Sequence, residues 1–279
     1  MRMCHSFRGG MMQGRLAIAV VLVAMSVRAA TAADLAPVIA EAARADIVLL
    51  GEVHDNPTHH NRQALLIAGL APSAVVWEML TADQADLLTK EALQTPAELG
   101  DLLQWGASGW PDFSMYQPIF EAAMTAGHWG AAVPRAQARA AMTEGVAAYF
   151  GEDATVFGLS TPLSDGVQGA REAEQQAAHC GALPDNLLPA MVAIQRLRDA
   201  ALARAALHAF EAAGGPVVVV TGNGHARRDR GVPVYLQQAA PDLEIFALGQ
   251  SEAGQVGGVF DMVLDGPVVA RPDPCSAFK

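Results

Sequence analysis

Asp46-Ile-Val-Leu-Leu-Gly-Glu-Val-His-Asp-Asn-Pro-Thr-His-His60 is the stretch that decides the fold. Its first half is an apolar run that ends at Gly51, which is typical of a strand buried on both faces. Its second half places Glu52 and His54 directly at the tip of that strand. Polar groups at such a position must leave water and find partners, so we interpret these two residues as functional.

The next residues, Asp55-Asn-Pro57, have two interpretations that the sequence does not separate. They extend the polar cluster at the strand tip, or they cap a helix that begins near Pro57, since Asp and Asn are common N-caps and proline is common in the first turn. The leucine spacing between Asn61 and Leu70 indicates a helix in that place.

Alternating strands and helices predict the fold class. Five further segments have the apolar composition of short strands: residues 74–79, 131–135, 216–222, 243–248 and 259–264. Helices are predicted between them, with Thr81 as the N-cap of a helix over 81–93 and a long alanine-rich helix over 189–213 that ends at Gly214. We therefore predict an α/β fold, with a mostly parallel sheet flanked by helices and a smaller inserted helical subdomain.

Residues 33–279 are expected to form a single α/β domain, in which the helical insertion covers roughly 81–130 and 165–213. The first part of this insertion is rich in aromatic residues, from Trp105 to Trp129.

Polar side chains follow four of the predicted strands. Glu52 and His54 end the first, Glu78 the second, Arg135 the third, and Asn223 and His225 the strongest one. Because the carboxyl ends of parallel strands meet at one edge of a sheet, we expect these side chains to converge on a polar site.

Gln195 and Asp199 lie four residues apart on the long helix and therefore on one face of it. A solvated face is the preferred interpretation, while Asp199 stays a candidate for the same polar site.

The N-terminus has the composition of a targeting segment. The first fifteen residues carry three arginines and no acid, residues 16–27 are apolar, and Ala30-Thr-Ala32 is a small-x-small cleavage site. We expect residues 1–32 to be a signal peptide cleaved near Ala32, which leaves a secreted or periplasmic protein. No cysteine sits at the cleavage point, so no lipid anchor is expected there. Cleavage lowers the formal net charge from −11 to −15, which argues against nucleic acid as a partner.

Cys180 and Cys275 are the cysteines that remain after this cleavage. In an oxidising compartment two cysteines favour a disulfide over two free thiols.

Several motifs resemble the ChaN-like haem-binding uptake proteins, a branch of a superfamily that also holds the TIKI/TraB proteins and the erythromycin esterases. The matching segments are Gly51-Glu-Val-His-Asp-Asn-Pro57 with His60, Trp77-Glu-Met79, Gln84, the Trp105/Trp110 pair, Gln195 with Asp199, and Gly222-Asn-Gly-His225 with Gly231-Val-Pro233. The resemblance implies haem bound between two protomers of a homodimer, and haem-uptake components of the periplasm or outer membrane as partners. The lipoprotein cysteine of some members is missing here.

Two functions follow from these observations, and the sequence leaves open whether the protein is an enzyme. The first is a haem-binding protein that serves haem or iron uptake. It requires an apolar slot, an axial His or Tyr and cations for the propionates. The segment from Trp105 to Trp129 is a candidate for the slot and equally well a packed core. Tyr116 and His128 are the axial candidates, and Arg135 or Arg227 the propionate partners.

The second function is a metal-dependent hydrolase that acts on an amide or ester. His54, Glu78 and His225 form a nitrogen and oxygen set that suits a divalent transition metal ion. A metal-bound water would then be the nucleophile, with Glu52 or Glu78 as the general base.

Overall fold

The structure is a computed structural model, which describes residue 31, residues 33–273 and residues 275–276. Apart from Thr31, the predicted signal peptide lies outside the described residues. Six strands form one sheet: β1 Ile47–Glu52, β2 Ala74–Trp77, β3 Gly127–Gly130, β4 Val217–Gly222, β5 Ile245–Glu252 and β6 Met262–Gly266. Their order is β3-β2-β4-β1-β5-β6, and each neighbouring pair is parallel. The predicted α/β fold with a parallel sheet is confirmed.

Helices connect the strands and cover both faces of the sheet. They are α1 Ala36–Ala42, α2 Pro57–Leu70, α3 Ala82–Ala85, α4 Leu99–Leu102, α5 Phe113–Ala122, α6 Arg135–Glu144, α7 Val146–Phe150, α8 Asp165–Ala178, α9 Leu188–Ala213, α10 Asn223–Ala226 and α11 Val232–Ala239. Among the described residues, none of the helices has both the length and the apolarity required to cross a membrane.

Strand residues alternate between two hydrophobic layers because successive side chains point to opposite faces of a sheet. Val48 and Leu50 of β1 pack into the layer that contains α2 and α5. Ile47 and Leu49 pack into the layer that contains α9 and α11. All four are fully buried, so truncation of Leu49 to alanine would cost about 2–5 kcal/mol. Both faces of the central strands are therefore covered, and the edge at their carboxyl ends stays available for polar residues.

The loop after β1 is a helix cap as well as part of the polar edge. Asn56 is the N-cap of α2, and its side-chain oxygen accepts a hydrogen bond from the amide of Thr58 at 3.0 Å. Pro57 is the first residue of the helix, where its missing amide hydrogen removes no bond. The capping interpretation of Asn56 and Pro57 is confirmed.

Two predicted elements differ from the structure. The third strand is Gly127–Gly130 and not residues 131–135, because residues 127–130 are the ones that pair in parallel with β2. Thr81 does cap a helix, with a capping box to Gln84, but that helix ends at Ala85 and not at residue 93.

The division into a core and a helical insertion over 81–130 and 165–213 stays a prediction. Within the second range, α9 packs directly on β2, β3 and β4.

The predicted Cys180–Cys275 disulfide is present and joins the end of α8 to the C-terminal tail. Arg271 in the same tail forms ion pairs with Asp55 and Glu252, each at 2.6 Å. The tail is thus held at two points, one of which is the loop after β1.

Candidate functional site

Five ionisable side chains meet at the carboxyl ends of β1, β2 and β4, and we call them the strand-tip pocket. Glu52 ends β1 and His54 follows it, Glu78 follows β2, His225 lies in α10 directly after β4, and Asp199 projects from α9. The three strands are neighbours in the sheet, which explains why residues far apart in sequence lie together.

Glu52 and His54 form the first of two carboxylate–imidazole pairs. The carboxylate of Glu52 is buried, and its Oε1 lies 2.8 Å from Nδ1 of His54 and 2.8 Å from the hydroxyl of Tyr116. The side chain of His54 is 37% exposed, and its ring contacts Trp110 edge-on with centroids 4.9 Å apart. Burial opposes the charged imidazole, but the hydrogen bond to Glu52 and the charge of Glu78 raise the pKa of His54.

Asp199 and His225 form the second pair. Oδ1 of Asp199 lies 2.6 Å from Nδ1 of His225, and Nε2 of His225 lies 3.5 Å from Oε1 of Glu78. Burial opposes the imidazolium, yet the carboxylates of Glu78 and Asp199 raise the pKa of His225 to about 9. Asp199 is 4% exposed, so the solvated-face interpretation is wrong for this residue.

Glu78 lies between the two imidazoles. Its Oε2 accepts hydrogen bonds from the hydroxyl of Thr221 at 2.6 Å and the amide of Gly222 at 2.8 Å. A Cβ on Gly222 would lie 2.9 Å from Nε2 of His54 and 3.8 Å from Oε2 of Glu78, so both atoms border the same space. Burial raises the pKa of Glu78, but the two histidines and these hydrogen bonds outweigh it and lower the pKa.

A cavity lined by residues of β3, α7 and α9 lies beside the edge strand β3, and we call it the side cleft. Its volume is about 410 Å³, within the range of small-molecule pockets. Its apolar walls and polar rim include Trp129, Val133, Tyr149, Phe150, Arg204 and His208. The guanidinium of Arg204 lies over the ring of Phe150, 3.9 Å from its centroid, and donates to the Phe150 carbonyl.

Sequence reasoning did not find Tyr149, Arg204 and His208. The spacing of Arg204 and His208 along α9 put them on one helix face, which was a signal that a polar stripe existed, but no motif marked it as a site.

A model of the family described as haem-binding uptake, Tiki superfamily, ChaN matches residues 38–236. The chain belongs to the ChaN family. This confirms the resemblance of the motifs between Gly51 and Pro233, and it makes haem, not a metal ion, the ligand that the family implies. A comparison with curated proteins gives no match.

One solved structure shows the same fold, and two others match with lower TM-scores. ChaN of Campylobacter jejuni, described with cofacial haem binding, superposes with a TM-score of 0.60 at 20% identity over 80% of this chain and 87% of that chain. The type III effector HopBA1 matches with a TM-score of 0.45 at 14% identity, covering 82% of this chain and 91% of that one. A succinoglycan biosynthesis protein matches with a TM-score of 0.46 at 14% identity, covering 78% of this chain and 69% of that chain.

The axial candidates of the sequence lie inside this ChaN-family core. Tyr116 is fully buried and donates its hydroxyl to Glu52, and burial together with the charge of Glu52 raises its pKa. His128 lies in β3, where its Nδ1 accepts from the indole of Trp77 at 3.1 Å, and burial lowers its pKa to about 4. Both side chains are engaged by core residues, and neither lines the side cleft.

The remaining polar candidates, Asn223, Arg135 and Arg227, have structural or surface roles in this ChaN-family chain. Asn223 exchanges two hydrogen bonds with the backbone of Gln250, at 2.8 and 2.9 Å, and so joins α10 to β5. Arg135 is exposed and begins α6, so it does not end a strand as predicted. Arg227 is paired with Asp229 and Glu174.

The predicted metal set of His54, Glu78 and His225 is not supported. Among the described residues, no group of three or more His, Cys, Asp and Glu side chains has an arrangement that could hold a metal ion. Oε2 of Glu78 already accepts two hydrogen bonds, and the carboxylates of Glu78 and Asp199 raise the pKa of His225, which disfavours the neutral imidazole that a metal ligand requires.

Proposed function

We propose that this protein binds haem in the side cleft and serves haem uptake. The observation that carries the proposal is that one cleft combines an apolar aromatic wall with a phenol, an imidazole and a guanidinium. These are the groups that a haem site requires, since Tyr and His are axial ligands of haem iron and cations pair with its propionates. The family to which the chain belongs supports the same ligand.

Tyr149 is our axial candidate. It is half-buried in the wall that it forms with Phe150, whereas His208 is exposed at the rim. A ligand in the wall faces the plane of a porphyrin that enters the cleft, and a residue at the rim meets its edge.

Arg204 and Arg135 are the propionate candidates. Arg204 lines the cleft, and Arg135 lies in sequence between two other lining residues, Val133 and Gln137. The strand-tip pocket is a poorer haem site, because three carboxylates would face an anionic ligand there.

The cleft is open on its outer side, so a bound porphyrin would leave part of one face uncovered. A second copy of the chain that covers this face would give the haem-bridged homodimer that the family resemblance implies. Light scattering with and without haemin tests this dimer.

A secreted or periplasmic location fits the same function. Residues 1–32 have the composition of a signal peptide, and the Cys180–Cys275 bridge suits an oxidising compartment. Haem-uptake components of the cell envelope would be the partners.

Haemin titration of the mature protein, followed by absorption, tests the proposal. We expect a saturable Soret band with one haem per chain, and a loss of affinity of at least tenfold in Tyr149→Phe. His54→Gln is the matched control from the other site and should bind haemin as the unmodified protein does. Unchanged binding in Tyr149→Phe together with weakened binding in His54→Gln would move the haem to the strand-tip pocket.

A further inference from the structure

We propose that α7 is a hinged wall of the side cleft, which opens to admit the ligand and is held closed by Arg204. This control rests on the proposed function for its ligand, haem, whereas the movement of the wall is a property of the haem-free chain. Tyr149 and Phe150 lie on α7 and line the cleft, so the position of this helix determines whether the axial candidate faces the ligand.

Both ends of α7 are glycines with a backbone conformation that other residues rarely adopt. Gly145 has φ 88° and ψ 133°, and Gly151 has φ 91° and ψ −151°. These angles lie in or beside a region that is essentially confined to glycine. A Cβ on either residue would meet no described atom within 4 Å, so close packing is not the reason for glycine there. The backbone conformation is the reason, and it gives the five residues between them a pivot at each end.

Two other walls of the cleft, β3 and α9, are fixed to the sheet. β3 pairs with β2, and α9 packs on β2, β3 and β4. In contrast, α7 packs mainly on α6, on α9 and on the turn that follows it. Its backbone hydrogen bonds run along the chain, from the amide of Tyr149 to Gly145 and from the amide of Gly151 to Ala147. The helix can therefore move without disturbing the sheet.

Arg204 of α9 connects this movable wall to the fixed one. Its Nη1 donates to the carbonyl oxygen of Phe150 at 3.1 Å, and its guanidinium lies 3.9 Å from the centre of the Phe150 ring. The same Nη1 is 3.8 Å from Oδ2 of Asp153, which follows the second hinge. Within the described part of the chain, no other hydrogen bond joins α7 to α9. The side chain of Arg204 is 33% exposed, so water and incoming anions compete for this latch.

Burial of Phe150 favours the closed wall. Its side chain is 5% exposed, and its ring packs edge-on against Phe157 with the centroids 5.7 Å apart. Opening exposes this ring to water, so the open form is a minor population that a ligand can select. A propionate that pairs with the guanidinium of Arg204 competes with the Phe150 carbonyl, which links the entry of the ligand to the release of the latch.

Hydrogen–deuterium exchange of the haem-free mature protein tests the movement. A helix of five residues is not stable alone in water, so its amides exchange when it leaves α9. Amides 149–151 should exchange at least tenfold faster in Arg204→Met than in the unmodified protein, because the latch is lost. Arg198→Met is the matched control, since it removes an arginine of the same helix that donates to Gln195, and it should leave this rate unchanged.

Stopped-flow binding of haemin separates a gate from a static wall. If opening precedes binding, the observed rate of association levels off at high haemin concentration at the rate of opening. This limit should rise at least fivefold in Arg204→Met, and dissociation should also become faster. Loss of a cation from a static site would instead slow the association of haemin, whose propionates are anionic.

The hinges provide a second set of variants in case Arg204→Met does not fold. Gly145→Ala and Gly151→Ala disfavour the angles of the closed wall, so each should raise both the exchange of amides 149–151 and the limiting association rate. Gly109→Ala is their matched control and should change neither, because Gly109 has φ 83° and a Cβ there would also meet no described atom within 4 Å. Thermal unfolding of each variant separates a loosened wall from a global loss of structure.

Two outcomes overturn the hinged wall and leave haem binding standing. The first is unchanged exchange of amides 149–151 in Arg204→Met and in both hinge variants. The second is an association rate in the unmodified protein that rises linearly with haemin concentration. If the unmodified protein binds no haemin, the proposed function is overturned instead, and the exchange of the haem-free protein then decides whether the wall opens.

Discussion

Removal of the Tyr116 hydroxyl tests whether this residue supports the pocket or binds haem. In the structure this hydroxyl is fully buried and donates a 2.8 Å hydrogen bond to the ionisable carboxyl of Glu52. Tyr116→Phe keeps the ring, so no cavity forms and the change is limited to that bond. A hydrogen bond to a charged group is worth about 1.5–3 kcal/mol. We therefore expect the free energy of unfolding to fall by about 2 kcal/mol, which corresponds to a decrease of about 4–8 °C in Tm.

Urea unfolding at pH 7, followed by tryptophan fluorescence, measures this change, because Trp105 lies 4.8 Å from Tyr116. Tyr149→Phe removes the same atom from the side cleft and should alter the free energy of unfolding by less than about 0.5 kcal/mol. Haemin affinity should show the reverse order, with Tyr149→Phe weakened and Tyr116→Phe unchanged. An unaltered stability in Tyr116→Phe, or a weakened haemin complex, would refute the structural role given to Tyr116.

Three further outcomes are expected. Gly222→Ala should displace His54, whose ring is 2.9 Å from the added Cβ, and so weaken its hydrogen bond to Glu52 and lower the free energy of unfolding by about 1 kcal/mol in a urea titration; unchanged stability would show that the ring has room to move. Thiol labelling of the unfolded, unreduced mature protein should find neither Cys180 nor Cys275 reactive, and reduction should cost up to about 4–5 kcal/mol of stability; two reactive thiols would exclude the bridge. Burial lowers the pKa values of His59 and His128 to about 4, so the stability that their neutral forms contribute is present above pH 6.5 and is lost as the pH falls towards 4. Urea titrations at pH 7 and 4.5 should show this loss, and His59→Asn should remove about half of it; an equal loss in that variant would assign it to other groups.

The central strands could be predicted because their signal is local. Each residue of β1 and β4 is buried, and valine, leucine and isoleucine dominate both segments. In contrast, β3 is Gly-His-Trp-Gly, which has the composition of a turn and becomes a strand only because β2 offers it a parallel partner. A tertiary contact of this kind leaves no pattern in the segment itself.

The strand-tip pocket, like the central strands, has a local sequence signal, whereas the side cleft depends on tertiary contacts. The strand-tip residues Glu52, His54, Glu78 and His225 could be found because each follows an apolar strand, and topology alone brings strand tips together. The burial of Asp199 could not be predicted, since a polar residue on a helix face looks the same whether it meets solvent or another side chain.

The side cleft was missed for a related reason. Its residues come from β3, α7 and α9, and they become neighbours only when these elements pack together.

An anomalous diffraction map at the iron edge, from crystals of the haemin complex, tests the central claim most directly. The account predicts an iron peak in the side cleft within bonding distance of the Tyr149 hydroxyl oxygen, with the propionates towards Arg204 or Arg135. An iron peak beside Nε2 of His54, or none in the cleft of a protein that binds haemin stoichiometrically, would contradict it.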